Sequence, residues 1–244
     1  MRPAGIIVIL SFLVLVVAFW NRNALPGDID YVARIFDEPE QTATRKAAFD
    51  AVYNSTTYRV APEYDYDLTG MVVSFRHHEG NSRMHRRAND HLNMLDVCVI
   101  WGDNTANPRL DRIKFWNGIF TCNVQTRDDL AWQAFDIYKL SNNHLISDRE
   151  SIRDDVRKIR IGDQIRVRGY LASYTNPAGG TRGTSTTRLD TGDGACETIY
   201  VEDFEIVQAA TSGWRQMMWG SLAAFVASLF AWFRRPYKPY SESA

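Results

Sequence analysis

The sequence predicts a mainly-β α+β domain carried between two membrane-spanning helices. Three observations predict it. An uncharged apolar run lies near each end of the chain, the segments between them alternate apolar and polar residues, and one helix signal precedes the last two alternating segments. The expected divisions are 1–20, an N-terminal anchor; 21–60, a helical segment; 61–213, the β domain; 214–233, a second span; and 234–244, a basic tail.

The first apolar run, Ile6 to Trp20, is close to the length of a span and can be extended through Ala4 and Gly5. No A-x-A cleavage site follows it, and the pair Phe19-Trp20 fits an interfacial anchor, so an uncleaved anchor is favoured over a signal peptide. The second run, Met217 to Phe233, lacks the polar face that a buried amphipathic helix would have. Arg2 lies outside one run, and Arg234, Arg235 and Lys238 lie outside the other. Such flanks place both termini in the cytoplasm and residues 21–213 in the periplasm or outside the cell.

Between the anchors, Asp28–Phe36 and Glu40–Tyr53 read as short helices broken at Pro39. Asp67–His77 alternates through Met71, Val73 and Phe75, so it is a strand; Leu92–Trp101 is a second, apolar on both faces; Phe115–Val124 is a third. Residues 128–146 fit no single pattern. Ser147-Asp148-Arg149-Glu150 has the spacing of a capping box, with Ile152, Val156 and Ile159 following at helical intervals. After the turn Gly162-Asp163, Ile165, Val167 and Leu171 alternate with Arg166, Arg168 and Tyr170. In the last strand, Ile199 and Val201 change phase before Phe204 and Ile206, the mark of a bulge near Glu202-Asp203.

Three strands, a helix and two strands is an order that resembles the OB-fold, a five-stranded Greek-key barrel. The resemblance covers Asp67 to Val207 and rests on order and spacing, with no sequence motif. It implies that ligands meet the face of the second and third strands and the loops 78–91 and 176–196.

Those two loops hold most of the chemistry. The first and its borders contain His77, His78, His85 and His91, four of the five histidines, which are candidate metal ligands at no recognised metal spacing. Arg86 and Arg87 beside them suit an acidic partner, and a solvated basic loop is the plainer reading. The second loop offers Arg182, Ser185, Arg188, Asp190 and Asp193. They read either as a contact site for an anion or partner, or as an Arg–Asp network that stiffens the loop. No phosphate-loop motif occurs and no cofactor is implied.

Three cysteines match no zinc spacing. Pairing Ile100 with Phe120 sets Cys98 opposite Cys122, open to a cross-strand disulfide in an oxidising compartment or to two buried thiols. Cys196 with His144 is a candidate nucleophile–base pair. Asn54-Ser55-Thr56 is a glycosylation acceptor in a eukaryotic host.

The net charge of −1 gives no global attraction for nucleic acid, and the topology disfavours such a partner. Neither apolar run carries an internal charge, which counts against a channel or transporter. The expectation is a membrane-anchored binding or assembly module, an accessory subunit of a larger membrane complex, rather than an enzyme. The alternative is an extracytoplasmic Cys–His or metal-dependent hydrolase.

Overall fold

A computed structural model describes residues 3–27, 29–78, 90–118, 120–187, 189–190, 192 and 195–234. The chain forms two compact units, one of residues 1–26 with 211–244 and one of residues 27–210. The first contains the helices α1 (Pro3–Asn21) and, at the C-terminal side, α4 (Gly213–Phe233). Of these, α4 is long and apolar enough to cross a membrane; the apolar stretch of α1, Gly5–Asn21, is shorter. Phe12 meets Phe225 with ring centroids 5.6 Å apart, and Arg215 Nε donates to Arg22 O at 3.0 Å, so the two helices run antiparallel.

The second unit is a mainly-β domain with a mixed sheet. Its strands are β1 (Glu40–Ala43), β2 (Phe49–Tyr53), β3 (Thr56–His77), β4 (Asn93–Ile100), β5 (Lys114–Asn117), β6 (Cys122–Gln125), β7 (Leu140–Ile146), β8 (Gln164–Thr175), β9 (Thr181–Arg182) and β10 (Glu197–Gln208). Short helices α2 (Asp129–Gln133) and α3 (Glu150–Val156) lie between them. The pairings return on themselves: β3 with β4, β4 with β7, β7 with β10, β10 with β8, and β8 again with β3. Only β7 and β10 are parallel within this path. The 22 residues of β3 make this possible, because one stretch serves β8 along its length while its far end pairs β4.

Inside lies an extended apolar cluster. Leu95, Val97, Val99, Leu145, Ile165, Val167, Leu171, Ile199 and Val201 come from alternate positions of the strands, and Ile152 and Val156 of α3 close it. Burying one such side chain contributes about 1.5–3 kcal/mol. The alternation read in β8 holds, with Arg166 turned out to Asp67 at 2.6 Å and Arg168 to Asp203 at 2.6 Å. The register shift between Val201 and Asp203 is the expected bulge. Gly169 faces it, and a Cβ there would lie 1.9 Å from Tyr200 O.

Several expectations fail here for identifiable reasons. The helical segment placed at 21–60 is a 3₁₀ turn, Ala33–Phe36, followed by strands β1, β2 and the start of β3. The long β3 offers an edge to pair with, and backbone pairing outweighs the weak helical spacing of Ala47, Ala48, Phe49 and Val52. Phe115–Val124 is not one strand but the hairpin β5–β6, in a separate two-stranded sheet, because Gly118 turns the chain with its N–H on Thr121 O at 2.9 Å. The strand beside β4 is instead β7, within the unassigned segment. The capping box does not close either. Ser147 Oγ donates to Val201 O at 3.3 Å and accepts from Arg149 N at 3.3 Å, and α3 begins without a side-chain cap.

Candidate functional site: a buried carboxylate between two histidines

Strand alternation builds the site. In β4, Leu95, Val97 and Val99 enter the core, so Asp96 and Cys98 project from the opposite face. The register sets Asp96 against His144 and Cys98 against Asn142, and His144 against Thr198 of β10. This face would be polar and wet if it were open. Instead Asp96 is fully buried and His144 is only 4% exposed.

The cover is the β5–β6 hairpin. A disulfide joins Cys98 to Cys122, with Cα atoms 5.7 Å apart, although Ile100 does not pair with Phe120 and the strands are not neighbours in one sheet. Ser74 Oγ donates to Asn117 Oδ1, Arg76 Nη1 donates to Gly118 O at 3.2 Å, and Asn142 Nδ2 donates to Phe120 O at 2.9 Å. The Phe120 ring then lies against both imidazoles, 6.2 Å from His78 and 5.9 Å from His144 between centroids. The Arg182 guanidinium stacks on the same ring at 4.0 Å.

Beneath this ring Asp96 has an imidazole nitrogen close to each oxygen. His144 Nδ1 is 2.5 Å from Oδ1 and His78 Nε2 is 2.6 Å from Oδ2, while Asn93 Nδ2 adds a bond to Oδ1 at 3.1 Å. Burial by itself pushes the Asp96 carboxyl up, but the bonds from His144 and His78 outweigh it and hold the group well below the usual carboxylate range. Because an ionised carboxylate only accepts, His144 presents its Nδ1–H to Oδ1, which fixes its tautomer when neutral.

Sequence reasoning placed His78 and His144 in different chemistries and passed over Asp96. The signal was present: one acid inside the apolar run Asn93–Ile100, and Asn142-Asn143-His144 in a segment otherwise able to be a strand. The remaining predicted residues scatter. His77 packs edge-on against Phe75 at 5.2 Å, and His91 lies at the far end of the loop, its N–H on the Tyr58 hydroxyl at 2.9 Å. His85, Arg86, Arg87, Arg188 and Asp193 lie outside the described residues. Among the described residues no three of His, Cys, Asp or Glu are placed to hold a metal. Ser185 and Asp190 meet, Oγ to Oδ2 at 2.6 Å, and lock the second loop from within.

Cys196 and His144 do not form a pair. No hydrogen bond joins them among the described residues: Cys196 Sγ donates to Phe120 O at 3.5 Å and accepts from Asn142 Nδ2 at 3.2 Å, and His144 Nδ1 is committed to Asp96. Burial pushes the Cys196 thiol up, against the lowering by Asn142, so it is a poor nucleophile in this conformation. Comparisons with models of protein families, with characterised proteins and with solved structures find no match to this chain.

Proposed function

We propose that this protein is a membrane-anchored binding or assembly module, an accessory subunit of a membrane complex, whose β domain is an OB-type barrel outside the cytoplasm. The observation that carries the reading is the pairing of α1 with α4. Their outward surfaces are large and apolar, with Leu10, Leu13, Val17, Val226 and Phe230 all exposed. Water would not tolerate such a helix pair, whereas lipid would. The serines in the pair bond their own helices: Ser11 donates to Ile7 O at 2.7 Å, Ser221 to Met218 O at 3.0 Å and Ser228 to Phe225 O at 2.9 Å. This pairing supports a reading with two spans, and the basic flanks support a cytoplasmic side for both termini. The disulfide suits the oxidising compartment that this topology implies.

The returning pairings, the parallel β7–β10 contact and α3 between β7 and β8 support the barrel reading. Its expected ligand face is the outer side of β4 and β7, where the histidine–aspartate cluster lies. A buried anion there suits a polypeptide partner better than a phosphate backbone.

The test is purification of the full-length chain from membranes in mild detergent. Partners in fixed ratio are expected, with a chain that resists alkaline carbonate extraction. A carbonate-soluble chain, or a clean monomer, overturns the reading. Labelling of intact cells with a membrane-impermeant maleimide after reduction checks the topology, since an extracytoplasmic domain gains label at its cysteines.

A further inference from the structure

Phe120 is held unusually. It sits at the tip of β5–β6 with φ of +58°, in the left-handed region that costs a bulky side chain free energy. Residues in such conformations persist only when the surroundings over-determine them. Here the ring has a guanidinium on it and two imidazoles beside it, and its carbonyl accepts from Asn142 and Cys196.

Yet the fit is incomplete. Asn142 is 6% exposed, and its Oδ1 has no hydrogen-bond partner among the described residues while its Nδ2 serves Phe120 O. Arg182 Nη1, also buried, has no acceptor among the described residues. Phe120 thus supplies a ring and a carbonyl but no N–H for Asn142 Oδ1. An aromatic residue within an extended peptide supplies all three. No strand pairing to the main sheet holds the occupant: among the described residues β5 and β6 pair with each other, and the disulfide and side-chain bonds keep the hairpin in place.

We infer that the space filled by Phe120 is a binding site for an aromatic residue of a partner polypeptide, and that Phe120 is an internal occupant which the partner displaces. The ring takes the place under Arg182, the carbonyl accepts from Asn142 Nδ2, and the backbone N–H donates to Asn142 Oδ1. The inference rests on the binding-module reading for its partner, but not for the site.

The experiment uses the full-length chain in detergent with Phe120→Gly, which removes the ring and accepts the positive φ without strain. The probe is N-acetyl-phenylalanine amide, with N-acetyl-leucine amide as control. Two readouts are followed: saturation-transfer NMR of the probe, and the alkylation rate of Cys196, the only cysteine outside the disulfide. The variant is expected to alkylate about tenfold faster than the parent, as expected when a local cover is lost. The phenylalanine derivative slows it again and gives a transfer signal, while the leucine derivative does neither. An intact disulfide and unchanged circular dichroism, with no binding or equal binding of both probes, overturns the inference. If the glycine variant does not fold, Phe120→Leu replaces it; there, failure of the phenylalanine derivative to bind in preference to the leucine one is the overturning result. Probe binding without any co-purifying partner leaves the site standing and removes the module reading. A stable complex without selective probe binding does the reverse.

Discussion

Asp96 and His144 face each other across the β4–β7 pairing, Oδ1 to Nδ1 at 2.5 Å, in a part of the domain from which solvent is nearly excluded. With His78 on the other oxygen, one anion orients two imidazoles. The cluster is sealed by an aromatic ring that no strand pairing secures.

Removing the anion should therefore be costly. Asp96→Asn keeps the shape but leaves both imidazole donors without a charged acceptor, and is expected to destabilise the domain by about 2–4 kcal/mol at neutral pH. The pH dependence has a definite sign. Asp96 is depressed in the folded state, so its contribution is complete above the unfolded value of 3.8 and is lost as pH falls through the lower folded value. Urea unfolding of parent and variant should show a constant gap at neutral pH that narrows below about pH 3.8. A gap that persists unchanged in strong acid would contradict this ionic role.

Arg153 of α3 gives a second test. It is 5% exposed, donates to Ser147 O at 2.8 Å, Leu92 O at 3.1 Å and His91 O at 3.4 Å, and stacks on Tyr53 at 3.7 Å. Burial lowers its pKa, a cost the fold sustains because the planar fork reaches three carbonyls at once. Arg153→Lys keeps the charge but not the fork and should cost about 2–3 kcal/mol in denaturant unfolding. Equal stability of the two proteins would refute the clamp.

The disulfide is expected to act locally as well as globally. Cys98 and Cys122 enclose a separation of 24 residues, for which the loss of cross-linking costs roughly 3 kcal/mol. In Cys98→Ala with Cys122→Ala, hydrogen exchange should quicken first in 114–125, since among the described residues that hairpin has no strand pairing to the main sheet. Uniform loss of protection across β3, β4 and β8 would show that the hairpin is integral to the sheet.

At the β2–β3 turn the sequence leaves stability unused. Asn54 and Ser55 both have positive φ, 49° and 59°, in a two-residue hairpin loop that favours Asn-Gly. Ser55→Gly should raise stability by about 0.5–1 kcal/mol, read as a higher melting temperature. A lower one would mean that the Ser55 side chain holds a contact the turn needs.

The two apolar helices, the alternation of β8, the bulge at Val201–Asp203 and the turn at Gly162 were legible in the sequence. Each depends on local periodicity or local backbone preference, which residues carry with them. The site was not legible, because its members come from three separate places and owe their neighbours to register. Asp96 reads as an interruption of an apolar strand until β7 brings His144 opposite, and His78 reads as part of a basic loop until the end of β3 turns it onto the same carboxylate. Strands β1 and β2 likewise exist because β3 offers an edge, and no local pattern within Glu40–Tyr53 could announce that. The sequence by itself determined which segments are apolar and where the chain turns. Tertiary pairing decided which polar residues are buried together, since the stability of a buried charge depends on partners that only the folded sheet supplies.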